Sequence, residues 1–96
     1  QDSEGRPDIK TSVLRTNDRV SEENLQAFLS EIKPGSIRIK GYLNLDNGKV
    51  MAVQSVYEQM ELKPIKNYQG PSELILFNDE LTVKELRNIF KKYKSS

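Results

Sequence analysis

The stretch from Ser36 to Val50, "SIRIKGYLNLDNGKV", constrains the fold more than any other part of the chain. Between Ile37 and Leu45, apolar residues alternate with polar ones, which is the period of a β-strand with one face on a core and one in water. The residues "DNG" at 46–48 tolerate the left-handed backbone of a tight hairpin turn. The stretch therefore predicts a strand and a turn, with "VMAVQSVYEQMEL", residues 50–62, returning as one long antiparallel strand.

Two other segments have the 3.6-residue period of amphipathic helices. In "SEENLQAFLSEI", Ser21 is a suitable N-cap, and the apolar residues recur at helical spacing. In "LTVKELRNIFKKYK", Thr82 and Glu85 have the spacing of a capping box. The two predicted apolar faces are formed by Leu25, Phe28, Leu29 and Ile32, and by Val83, Leu86, Ile89, Phe90 and Tyr93.

The remaining segments complete a prediction of fold class. "TSVLRT", residues 11–16, is rich in β-branched residues and predicts a first strand. "SELILFN", residues 72–78, predicts a central strand, because its apolar residues fall on both faces. Residues 63–71 read as a loop, and the polar residues 1–10 as a flexible lead-in or linker. The order β-α-β-β-β-α predicts one α+β domain over residues 11–96, an antiparallel sheet with two helices packed on one face.

Composition excludes several classes of function. The chain contains no Cys and no His, which removes disulfides, thiolate and imidazole metal ligands, and triads with a histidine base. Fifteen Lys and Arg residues against 14 Asp and Glu residues leave a net charge of +1, too little for a general attraction to nucleic acid. No nucleotide-binding P-loop motif occurs, and no spacing pairs two carboxylates for acid–base chemistry. The sequence predicts no catalytic residue, no metal site and no cofactor in this chain.

Three residues of the predicted sheet surface are candidates for binding. Arg38, Lys40 and Tyr42 occupy alternate positions of one strand and therefore share its outward face. Two cations and an aromatic ring can hold a phosphate or stack a base. The same residues are also consistent with a solvated strand face, which the absence of a basic excess favours, since long side chains often cover their apolar neighbours. Gly41, between them, marks a bulge or a close approach of another backbone.

Two short motifs follow one another along the chain. The first is "RIKG", with Arg38, Lys40 and Gly41 in the pattern R-x-K-G-hydrophobic, and the second is "SELILF", residues 72–77. In this order they resemble the C-terminal domain of the CobW-type GTPases, which are associated with cobalamin synthesis and metal handling. The resemblance covers about residues 11 to 93. Departures are Val20 in place of a proline after Asp18-Arg19, Asn78 at the end of the late strand, and the absence of tryptophan.

The resemblance implies an accessory or interaction domain, in the cytoplasm, of a protein that handles cobalt or zinc. The family's P-loop and metal-binding cysteine motif do not occur in these 96 residues. Its partners would be the GTPase domain of the parent protein or a client metalloprotein, with no membrane and no nucleic acid. Arg38, Lys40, Gly41 and Tyr42 would contact the partner, with Glu73 as a counter-charge. The alternatives are a small nucleic-acid-binding module and an exported protein-interaction domain.

Overall fold

The structure, a computed structural model, describes residues 10–34, 36–78 and 80–95. The predicted lead-in lies outside these residues except for Lys10, which is the first residue of the first strand. Seven elements follow one another: β1 (Lys10–Thr16), α1 (Glu22–Ile32), β2 (Ser36–Asn44), β3 (Val50–Val56), β4 (Gln59–Ile65), β5 (Ser72–Asn78) and α2 (Val83–Tyr93).

All five strands belong to one sheet, in the order β1-β5-β2-β3-β4, and every neighbouring pair is antiparallel. β5 lies between β1 and β2, which confirms that "SELILFN" is an inner strand. The predicted α+β class, with an antiparallel sheet and two helices, is confirmed.

The prediction of one long strand over residues 50–62 is wrong. The chain reverses at Tyr57 and Glu58, so this segment forms β3 and the first part of β4, and the sheet gains a fifth strand. The predicted loop at residues 63–71 begins too early, since β4 continues to Ile65. Pro64 fits in β4 because β4 is an edge strand, where a missing N–H costs no ladder hydrogen bond.

The helix starts follow from the predicted caps. Ser21 Oγ accepts a hydrogen bond from the backbone N–H of Asn24, 3.0 Å away. Thr82 and Glu85 form the reciprocal capping box. The predicted face of α1 is buried in full, whereas on α2 only Leu86 and Phe90 are buried. Val83 is 41% exposed, because it lies in the first turn of α2 at the margin of the core.

A single hydrophobic core lies between the two helices and one face of the sheet. Phe28 of α1 and Phe90 of α2 pack edge to face, with ring centroids 5.2 Å apart. In β5 every second residue is buried, because alternate side chains of the strand point to the same face of the sheet. The sheet residues of the core include Leu14, Ile39, Leu43, Val53, Leu74 and Leu76. We call this side of the sheet the covered face.

Candidate interaction surface

The opposite side of the sheet is covered by neither helix, and we call it the open face. Its centre includes alternate residues of β2 and β5, two of the three inner strands, which the register aligns in rows. Tyr42 lies opposite Glu73, Lys40 opposite Ile75, and Arg38 opposite Phe77. Arg38, Lys40 and Tyr42 therefore share the outward face of β2, as the sequence predicts.

Apolar side chains are concentrated on and beside this face. Within the described part of the chain, five large apolar side chains are more than a third exposed. Three belong to the open face: Val13 at 37%, Tyr42 at 39% and Val56 at 42%. Tyr57, at 66%, follows Val56 in the β3–β4 turn, whereas Val83 lies on α2. Exposed apolar area of this kind marks surfaces that bind partners when it is contiguous.

Charged side chains of both signs border the apolar ones. The nearest charged partner of Glu73 is Arg15 of β1, with Nε and Oε2 3.7 Å apart. We expected Glu73 to be the counter-charge of the β2 cations, but the β1–β5 register places it directly opposite Arg15. Both partners are substantially exposed, so this ion pair contributes little to stability.

A shallow depression of about 370 Å³ interrupts the centre of the open face. It forms because Ala52 is small among longer neighbours, with Tyr42 on one side and Lys63 on the other. The ring of Tyr68, from the loop between β4 and β5, stacks on Tyr42 with centroids 4.7 Å apart. The Tyr68 hydroxyl donates a hydrogen bond to the carbonyl oxygen of Pro71 at 2.7 Å, which holds the loop against this end of the face.

Gly41 differs from the other four residues that the sequence singled out. Its register partners, Leu74 and Val53, are buried in the core, so Gly41 alternates with the open-face residues of β2. A Cβ at this position would lie 1.9 Å from the carbonyl oxygen of Glu73, and φ is +153°. Gly41 therefore allows β2 to approach β5 closely, which is the second of the two roles expected for it.

Sequence reasoning missed several residues of the open face. Val13 and Arg15 alternate with the buried Ser12 and Leu14, so their outward position was readable from β1 itself. Glu61 and Lys63 were missed because the β3–β4 turn was not recognised, although "QMELKPI" alternates in the same way. The open face is thus wider than the three residues of β2.

The ionisable cluster with shifted pKa values lies between the two helices. Lys92 Nζ donates a hydrogen bond to Glu31 Oε2 at 2.7 Å, and the Tyr93 hydroxyl donates to Glu31 Oε1. These two donors lower the pKa of Glu31, the one from Lys92 contributing more. The hydrogen bond to Glu31 raises the pKa of Lys92 and of Tyr93. This cluster joins α1 to α2 and takes no part in the open face.

Within residues 10–34, 36–78 and 80–95, no group of three or more Asp and Glu side chains is placed to hold a metal ion. Neither helix of that part of the chain has the length or the apolar character needed to cross a bilayer.

Two solved structures share this fold. A Zn(II)-bound YjiA GTPase from E. coli is similar with a TM-score of 0.75 and 19% sequence identity, over 92% of this chain and 30% of that chain. A Zn(II)-bound triple mutant of the same GTPase gives a TM-score of 0.73 with the same identity and coverage. At this identity the likeness establishes the fold, and our chain spans about 30% of the length of those proteins. A search of curated proteins found no significant match.

The family comparison is more specific. Residues 9–94 match the family described as the cobalamin synthesis protein cobW C-terminal domain. The match concerns the C-terminal domain alone, and no P-loop motif occurs in these 96 residues. With most of its length matched, the chain belongs to the family of CobW C-terminal domains.

Proposed function

We propose that this chain is the accessory domain of a CobW-type GTPase and that its open face docks the GTPase domain. Family membership supports the first part. For the second part, the observation that carries the proposal is the uncovered sheet face, with Val13, Tyr42 and Val56 each more than a third exposed. The YjiA structures add support, because there the same fold makes up 30% of a chain that is a GTPase.

The dimensions of the open face suit a protein partner. Five strands spaced about 4.8 Å apart, each of about seven residues, make a surface roughly 19 Å by 23 Å. Helices are about 10 Å in diameter, so such a surface accommodates two of them side by side. The covered face already accommodates two helices, α1 and α2, of 11 residues each. An element of similar size from the GTPase domain would fill the open face.

The charges of the open face specify the partner further. Arg38 and Lys40 of β2 and Lys63 of β4 add positive charge, and Arg15 is paired with Glu73. We therefore expect the docked surface of the GTPase domain to carry acidic side chains among apolar ones. Complementary charges of this kind increase the association rate and select the partner.

The mixed charge favours a protein over a nucleic acid. Glu73 and Glu61 lie on the same face as the cations, where they repel phosphates. Sheet-surface RNA binders stack two or three bases on aromatic residues. The ring of Tyr42 is already stacked on Tyr68. For the parent protein we infer the role in cobalt or zinc handling that the family resemblance implies, with this domain contributing contacts rather than metal ligands.

Calorimetric titration of the chain with the GTPase domain of the CobW-type protein from the same organism tests the proposal. We expect saturable binding that weakens at higher salt, and Lys40→Glu should raise Kd about ten-fold or more because it reverses a charge at the centre of the face. Lys84→Glu is the matched control, since Lys84 is exposed on α2. It should leave Kd within about two-fold.

Other outcomes would assign the open face differently. No binding to the GTPase domain by the parent chain would overturn the proposal. Binding of a single-stranded oligonucleotide at about 50 mM salt, lost on Lys40→Glu, would assign the face to nucleic acid instead. The coding sequence upstream of Gln1 is a second test, because a P-loop domain there agrees with the proposal and a signal peptide favours the exported alternative.

A further inference from the structure

A polar cavity lies at the end of the sheet where β1, β2 and β4 end and β3 and β5 begin. Its volume is about 430 Å³. Small-molecule sites occupy roughly 300–1,000 Å³. Its lining includes Asn17 and Arg19, just after β1, and residues 68–71 between β4 and β5. It shares no lining residue with the depression on the open face, and the stacked rings of Tyr42 and Tyr68 mark the border between the two.

The lining of the cavity combines one positive charge with neutral hydrogen-bonding groups. Arg19 supplies the charge, and Asn17, Asn44 and Gln69 supply amide side chains. Among the described residues that line the cavity there is no carboxylate. A guanidinium is planar and carries several N–H donors in that plane, a geometry that suits the oxygens of a carboxylate or a phosphate. The charge of the cavity therefore favours an anionic ligand.

Hydrogen bonds hold two parts of the cavity wall in place. Arg19 Nη1 donates to the carbonyl oxygen of Leu45 at 3.1 Å, and the carbonyl oxygen of Arg19 accepts from the backbone N–H of Ser95 at 2.7 Å. In the β4–β5 loop, the carbonyl oxygen of Gly70 accepts from Asn44 Nδ2 at 3.0 Å. The guanidinium and the loop are thus positioned before a ligand binds, which lowers the entropic cost of binding.

From these observations we infer that the cavity is a binding site for an oxyanion, either a carboxylate or a phosphate group, with Arg19 as the principal contact. The hydrogen bond to Leu45 uses Nη1, so the edge formed by Nε and Nη2 can donate two parallel hydrogen bonds to one oxyanion. Asn17 and Gln69 would add neutral donors. The inference goes beyond the proposed function, because none of these residues belongs to the open face.

NMR titration of the isotope-labelled chain with sodium phosphate and, separately, with sodium acetate tests the inference at constant ionic strength. We expect at least one anion to cause saturable shifts confined to the backbone amides of the cavity, among them those of Arg19, Gln69 and Gly70. Saturation by phosphate alone assigns the site to a phosphate group. Saturation by acetate alone assigns it to a carboxylate, and saturation by both supports a general oxyanion site.

Two substitutions test the role of the positive charge. Arg19→Gln removes it and should raise Kd for the anion at least about ten-fold. Gln69→Glu keeps the size of an exposed loop residue and places a carboxylate in the cavity, so it should weaken binding as much by repulsion. Arg38→Gln is the matched control, since it makes the same change of charge on the open face, and it should leave Kd within about two-fold.

The outcome does not depend on the docking of the GTPase domain. Saturation by neither anion would overturn the inference, as would equal binding by Gln69→Glu and the parent chain. The amide spectrum of each variant shows whether it remains folded, and Gln69→Glu decides the matter if loss of the Arg19 hydrogen bond unfolds the chain. Because Lys40→Glu tests docking and these variants test the cavity, either proposal can fail while the other stands.

Discussion

The two faces of the sheet are built from the same strands and have opposite character. On β5, Leu74 and Leu76 are fully buried against the helices, whereas Ile75 and Phe77, between and after them, are half-buried. The difference arises because successive side chains of a strand point to opposite faces, and α1 and α2 cover one face only. Residues of similar hydrophobicity thus stabilise the domain on one face and remain available to a partner on the other.

The comparison also separates two kinds of constraint on sequence. On the covered face, close packing against the helices restricts side-chain size. Within the sheet, the backbone of β5 restricts it further at Gly41, where the carbonyl of Glu73 occupies the space of a Cβ. On the open face, Arg38 and Lys40 are exposed, so the fold itself does not require them. Substitutions on the two faces should therefore differ in which property they change.

The largest effect on stability is expected from Gly41→Ala. The new methyl group would lie 1.9 Å from a backbone oxygen, so β2 and β5 must separate, and we expect a loss of about 4 kcal/mol or more in the free energy of unfolding. Gly48→Ala is the control, since Gly48 also has a positive φ, +89°, with nothing within 4 Å of the added Cβ. It should cost about 1 kcal/mol. Urea denaturation measures both, and equal losses would contradict the close-approach role of Gly41.

A direct comparison of the faces uses two neighbouring residues of β5. Leu76→Ala removes a fully buried side chain from the core and should cost about 3 kcal/mol. Ile75→Ala removes a half-buried side chain from the open face and should cost about 1 kcal/mol. Urea denaturation of the two variants gives the comparison. Similar losses would mean that the open face is packed as tightly as the covered one.

The helix-joining cluster around Glu31 predicts a smaller, pH-dependent effect. Because the folded-state pKa of Glu31 is lowered, its contribution to stability is present near neutral pH and is lost as the pH falls through that pKa. The pKa values of Lys92 and Tyr93 are raised in the folded state. The contributions of these two residues to stability are therefore lost as the pH rises through the alkaline range.

We therefore expect Glu31→Gln to lower Tm most near neutral pH, and the difference from the parent chain to shrink as the pH falls through the lowered pKa of Glu31. Thermal unfolding followed by circular dichroism across this range measures the difference. Glu61→Gln is the control, since it makes the same change at an exposed glutamate of β4 away from the cluster, and it should change Tm little. A Tm difference for Glu31→Gln that is constant with pH would argue against the ionised cluster.

The smallest stability effect is expected for the double change Arg38→Ala with Lys40→Ala. Both side chains are exposed, so the free energy of unfolding should change by less than about 0.5 kcal/mol. The same variant should weaken binding to the GTPase domain, which separates a binding surface from a structural one. A stability loss of several kcal/mol, measured by urea denaturation, would show that the pair belongs to a structural network.

Local patterns in the sequence were sufficient for much of this description. The alternation from Ile37 to Leu45 places Ile39 and Leu43 in the core and Arg38, Lys40 and Tyr42 outside it, because the side-chain period of a strand is two. The helix starts at Ser21 and Thr82 follow from capping, which involves residues only three apart. The family resemblance, which rests on two short motifs, is confirmed over residues 9–94.

Other features were decided only by the tertiary structure. Because β5 lies between β1 and β2, the side chain of Glu73 pairs with Arg15, and the carbonyl oxygen of Glu73 lies against Gly41. Arg15 and Gly41 are both far from Glu73 in the sequence. The turn at Tyr57 was missed because its residues have no turn preference, and the pairing of β4 with β3 imposes it. Strand order and register depend on the joint packing of side chains from distant segments, which no local pattern records. The sequence by itself determined which side chains share a face, and the tertiary structure decided which neighbours they meet there.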